Sequence, residues 1–183
     1  MSSQISLIAS EVDEPPPGRH VNMLEALPHE EAAFYAEEAN VVDSCGKSDA
    51  IFCEIEERYG FVGGSYTEYS NYFSRSDVRH LWDFETGDRV RAVAGFSCVA
   101  KKSGRQRKLL MQCSANYMLS DVRKRASQGM LGGSALSTLH SPSDSITVAS
   151  FDESNAFTAV ETPAWMWPWT AVPPIRAEVA RLT

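Results

Sequence analysis

Apolar residues recur at helical spacing through the first half of this chain and give way, near residue 93, to the denser apolar runs of strands. The first two dozen residues are polar, with few apolar anchors and a Pro15-Pro16-Pro17-Gly18 break, so residues 1–27 are expected to form a disordered, acidic arm. Pro28 can open a helix whose first turn holds Glu30 and Glu31, where carboxylates meet the positive end of the helix dipole. Ala32 to Ala39 continue it. A second helix is predicted from Ser48 as cap, through Ile51, Phe52 and Ile55, to Tyr59, with Gly60 as its stop. Gly63-Gly64 then resets the chain.

From Tyr66 to Trp82 the positions Tyr69, Tyr72, Phe73, Leu81 and Trp82 recur loosely at helical spacing, the pattern of a helix face turned to a core. Val93, Phe96 and Val99 then precede a Lys-Lys-Ser-Gly-Arg turn, and Leu109 to Met111 follow it, which predicts a β-hairpin with a basic tip. Asp121 to Met130 reads as a short polar helix ended by glycine, and Ile146 to Phe151 as a short apolar strand entered from a Ser-Pro-Ser-Asp turn. The stretch from Thr162 to Pro174, rich in Trp and Pro, is expected to be irregular and extended.

With 183 residues, 43% of them hydrophobic, the chain can bury one sizeable core, and residues 28–183 are expected to form one domain behind the arm. No apolar run approaches the roughly 20 residues of a membrane helix, and Ile5 to Ala9 is too short for a secretion signal. An intracellular location, cytoplasmic or nuclear, is therefore expected. Cys45, Cys53, Cys98 and Cys113 lack CxxC spacing, so buried free thiols are expected rather than a zinc knuckle or a disulfide framework.

Net charge, −7 over the whole chain, is divided unevenly along it. Residues 1–85 carry 5 Lys/Arg against 17 Asp/Glu, a net −12, whereas residues 86–126 carry 10 against 2, a net +8. Such a basic island suits phosphate, although an exposed basic turn is also an ordinary solvated surface. Lys101, Lys102, Arg105, Arg107 and Lys108 lie around one turn that could fold over a triphosphate, lysine acting as a point charge and arginine as a planar fork. Asp152 ends the apolar strand, where a carboxylate can project to hold Mg²⁺ or merely cap a helix, and Phe157 follows five residues later.

Taken in sequence, these features resemble a reverse transcriptase of the retroelement type. Gly95 to Asn116 resembles the family's fingers pattern: an apolar strand, a Lys-Lys-x-Gly turn, Arg-Lys-Leu and an asparagine nine residues after the arginine. Ala149 to Val160 resembles its first palm motif, apolar-Asp-x-x-x-Ala-aromatic. The resemblance covers roughly residues 65–170. It implies an α+β fold with N-terminal helices, the fingers β-hairpin and the first palm strand of a right-hand polymerase. It also implies a nucleotidyltransferase that copies RNA into DNA, with template-primer and dNTP as partners and Mg²⁺ as cofactor. Arg107 would contact the incoming phosphates, with Lys101 or Lys102 beside it. Asp152 would be the catalytic metal ligand, and Phe157 would occupy the volume of a ribose 2′-hydroxyl.

Two departures bear on activity. Met111 and Cys113 stand where the family carries an acid and an arginine, and no Asp-Asp pair follows Asp152. Two metal ions close together need several carboxylates, so Asp152 unaided should not sustain turnover, and a truncated or decayed polymerase segment is expected. The rival expectation is a non-catalytic interaction module, whose hairpin contacts RNA or an acidic protein and whose Trp165-Met-Trp-Pro-Trp169 run docks a protein partner. Gly46-Lys47-Ser48 mimics the end of a phosphate-binding loop, but Val41 stands where the opening glycine belongs. The four histidines are scattered and support no metal cluster.

Overall fold

The computed structural model describes residues 4–15, 18, 21–78, 81–120 and 160–180, all of which belong to one compact unit of the chain. In order, the elements are β1 (Gln4–Ile5), β2 (Val21–Asn22), α1 (Met23–Ala26), α2 (His29–Tyr35), α3 (Glu38–Val41), α4 (Asp49–Tyr59), α5 (Tyr66–Ser74), β3 (Gly95–Ala100), β4 (Gln106–Met111), α6 (Cys113–Met118), β5 (Val160–Glu161) and α7 (Ala177–Ala180). This is a mixed α+β arrangement with one three-stranded sheet, ordered β1-β3-β4, and a two-stranded parallel pair of β2 with β5.

Local chemistry sets the helix ends. The Ser48 hydroxyl accepts from the Ile51 N–H, and Gly60 closes α4 by donating its own N–H to Glu56 at 2.7 Å. Phe52, Ile55 and Tyr59 lie half-buried along one face, at the spacing a helix needs to present a stripe. Ser65 caps α5 in the same manner, and Tyr69, Tyr72 and Phe73 are the residues it buries. The helical spacing read out to Trp82 breaks at Ser74, because Arg75 is extended and turns its guanidinium to the carbonyls of Ala9 and Val12.

Antiparallel pairing joins β3 and β4 from Gly95 with Met111 to Ala100 with Gln106. Gly95 to Cys98 are all buried, so both faces of this part of β3 are covered, including the polar Ser97. Phe96 inserts among the rings of α5, with centroids 5.3 Å from Tyr69 and 5.1 Å from Tyr72.

The first residues do not form a loose arm. Gln4 and Ile5 pair with Val99 and Cys98, and Leu7, Ala9 and Val12 belong to the main core with Phe96 and Tyr72. Three apolar side chains suffice because the backbone is tied as well: Leu7 N–H donates to the Gly63 carbonyl at 3.1 Å and Ala9 N–H to Glu68 at 2.7 Å.

The Trp-rich stretch also departs from the extended form expected of it. Ala164–Trp169 winds into a 3₁₀ helix; the Trp165 indole donates to the Tyr35 carbonyl at 2.9 Å and that of Trp169 to Glu38 at 2.8 Å. Of the cysteines, Cys98 is buried as expected, whereas Cys45 and Cys53 are exposed. The expected helix at Asp121 to Met130 and the expected palm strand at Ile146 to Phe151 lie outside the described residues. Among the described residues, no helix is long and apolar enough to cross a membrane.

Candidate phosphate-binding hairpin

The β3–β4 turn closes through Lys101 N–H to the Arg105 carbonyl at 2.8 Å and Gly104 N–H to the Lys101 carbonyl at 3.1 Å. Gly104 has φ +79°, a left-handed conformation open to glycine, so the Lys-Lys-Ser-Gly-Arg order is what allows so tight a reversal. Lys101, Lys102 and Arg107 are thereby brought onto one hairpin. Beyond the turn the side chains alternate, with Gln106 buried, Arg107 exposed and Lys108 turned inward again.

The five cations are not equivalent. Lys101 forms an ion pair with Asp13, and Arg105 approaches the same carboxylate at 3.8 Å while donating to the Ser10 carbonyl at 3.1 Å. Lys108 binds both carboxylate oxygens of Glu14, at 2.8 and 2.7 Å, in a pocket where the lysine side chain is 8% exposed and the glutamate 2%. Its ammonium also sits 5.3 Å from the Trp82 ring centroid. Lys102 and Arg107 are exposed and have no ion-pair partner among the described residues.

Electrostatics follow from these contacts. The hydrogen bond from Lys101 holds the Asp13 carboxyl below the usual carboxylate range, reinforced by the charges of Lys101 and Arg105. Burial lowers the Lys108 ammonium, and the Glu14 charge opposes that effect. Burial pushes up the Tyr72 phenol, whose hydroxyl donates to Glu14 and accepts from the Trp82 indole at 3.2 Å.

Asp13, Glu14 and Gln106 take part in this site without having been singled out in the sequence. Gln106 sutures the N-terminal segment to β4. Its side chain accepts from Ile8 N–H and donates to the Ser6 carbonyl, each at 3.0 Å, and its own carbonyl accepts from Asp13 N–H at 3.0 Å. The available signal was the complementary charge of the two segments, −12 against +8, with Asp13-Glu14 set just before the proline run.

Asp152 and Phe157, the expected metal ligand and sugar-facing ring, lie outside the described residues. Among the described residues, no group of three or more His, Cys, Asp or Glu side chains could hold a metal ion. Asn116, the last residue of the fingers pattern, is exposed on α6. The chain matches no protein-family model, no curated protein and no solved structure.

Proposed function

We propose that this chain is the fingers and first palm portion of a reverse-transcriptase-like RNA-directed DNA polymerase, and that it binds the phosphates of nucleotide or nucleic acid through the basic hairpin. In this reading Arg107 and Lys102 make the primary phosphate contacts and Lys101 joins them. Asp152 is the Mg²⁺ ligand and Phe157 lies beside the sugar. Magnesium bound there would offset phosphate charge.

One observation carries the reading. Arg107, to which the resemblance gives the phosphate contact, is exposed and unpaired among the described residues, whereas Lys101, Arg105 and Lys108 on the same hairpin are held by acids. A planar guanidinium free on a rigid strand suits a bidentate phosphate contact.

The test is equilibrium binding of dTTP to the full chain with and without Mg²⁺. Arg107→Gln is expected to weaken binding about tenfold, the scale of one charge-assisted hydrogen bond. Asp152→Asn is expected to remove the Mg²⁺ dependence while leaving the metal-free affinity in place. Unchanged affinity in Arg107→Gln overturns the assignment.

A second reading is the non-catalytic module, in which the exposed Lys102 and Arg107 contact an acidic protein or RNA without any chemistry. Against it as a Trp-mediated dock, Trp165 and Trp169 spend their indole donors inside the chain, leaving Trp167 as the exposed ring of the run, at 39%.

A further inference from the structure

Asp13 and Glu14 of the N-terminal segment make unlike contacts with the hairpin. Glu14 is buried with Lys108, closed in by the Tyr72 hydroxyl and by Trp82, which itself packs on Phe73 with ring centroids 5.2 Å apart. No solute reaches that pair without opening the core. Asp13, one residue earlier, lies at the rim: its side chain is 38% exposed, and its partners Lys101 and Arg105 are partly exposed too. The backbone of residue 13 is fixed independently of its carboxylate, by the N–H bond to Gln106 and the parallel bridge of Val12 with Gln106. The segment is thus anchored at Glu14, pinned by backbone at Gln106, and presents one carboxylate to two cations at the hairpin tip.

That carboxylate is the counter-charge of both cations at the tip. Two cations from opposite ends of a five-residue turn converge on a single small acid, the arrangement a compact, multiply charged anion satisfies better than a monovalent one.

We propose that Asp13 is a built-in competitor for the triphosphate of a nucleotide at the hairpin tip, masking Lys101 and Arg105 until the ligand displaces its carboxylate. The inference rests on the reading of the hairpin as a phosphate site and adds a gate to it: Arg107 and Lys102 stand open, Lys101 is released in exchange for Asp13, and Arg105 frees its Nε while its other guanidinium nitrogens stay on the Ser10 and Val12 carbonyls. Affinity in the resting chain is accordingly set below what the four cations outside the core would provide, and the anion gains the second pair only after the carboxylate swings away.

The experiment titrates the full chain with inorganic triphosphate and, in parallel, with an unphosphorylated twelve-residue thymidine oligonucleotide, by calorimetry at two salt concentrations. Asp13→Asn keeps the size of the side chain and the backbone bond to Gln106, so its thermal midpoint should fall only slightly, by the loss of one rim ion pair. It is expected to tighten triphosphate binding about tenfold and to steepen the salt dependence, as more cations meet the ligand. In Asp13→Asn/Lys101→Gln the gain should disappear, which separates unmasking from an indirect change in fold. Arg107→Gln should weaken binding in either background. Unchanged or weaker triphosphate binding in Asp13→Asn, with Arg107→Gln still weakening it, overturns the gate and leaves the phosphate site standing. No effect from either substitution overturns both. A gain confined to the oligonucleotide overturns the triphosphate assignment.

Discussion

Glu14 and Lys108, 94 residues apart in the chain, face each other as a bidentate ion pair inside the core. Desolvating two charges is costly, and here the geometry offsets it: both carboxylate oxygens are engaged and the Tyr72 hydroxyl adds a third bond. Removing one partner leaves the other buried and uncompensated. Glu14→Ala is therefore expected to destabilise the chain by about 3–5 kcal/mol. Adding Lys108→Met should recover a good part of that loss, since the double variant strands no charge. Urea unfolding of the two single variants and the double variant measures the coupling; strictly additive losses would contradict a direct pair.

Gly95 lies where β3 passes the end of α4. A Cβ at that position would come within 2.0 Å of the Tyr59 carbonyl oxygen and 2.5 Å of the Met111 methyl. The methyl can move, but the carbonyl belongs to backbone and cannot yield without shifting α4 or β3. Gly95→Ala should lower stability by at least about 2 kcal/mol, the upper part of the range for overpacked cores. Gly87→Ala, with nothing within 4 Å of its new methyl, is the matched control and should leave the urea midpoint in place.

Alkaline pH should unfold the chain earlier than its acidic composition suggests. Burial pushes the Cys98 thiol from 9.0 to about 11 and raises the Tyr69 and Tyr72 phenols above 10.0. In the unfolded chain these groups release protons near their ordinary values, while the folded chain retains them, so stability falls as pH rises above about 9. Lys108, lowered by burial, acts in the opposite sense, one group against three. Cys98 contributes on the order of 2–3 kcal/mol of this loss by pH 11. Thermal midpoints from pH 7 to 11 should decline in the parent chain, and Cys98→Ala should flatten the first part of the decline. A flat profile in the parent would contradict the burial of all three groups.

Elements governed by local chemistry were legible in the sequence. The Ser48 cap and Gly60 stop of α4 and the Gly104 turn of the hairpin rest on contacts within a few residues, and each stands where the sequence places it. What depended on distant partners was not. Leu7, Ala9 and Val12 look like stray apolar residues in a polar stretch, since their periodicity is too short to register and their partners Phe96 and Tyr72 lie far along the chain. The hairpin charges were legible as a cluster, but their counter-charges at Asp13 and Glu14 were hidden by the same separation. Trp165 and Trp169 suggested a docking patch because the sequence does not show that Tyr35 and Glu38 accept their indole protons.

The pairing of Gln4 with Val99 and of Ile5 with Cys98 also orders events during synthesis. Gln4 and Ile5 are made more than ninety residues before the β3 residues they pair with, an interval on the order of ten seconds at ordinary elongation rates. Until then one side of β1 lacks its neighbour, and the closing of the three-stranded sheet waits on a contact between distant parts of the nascent chain.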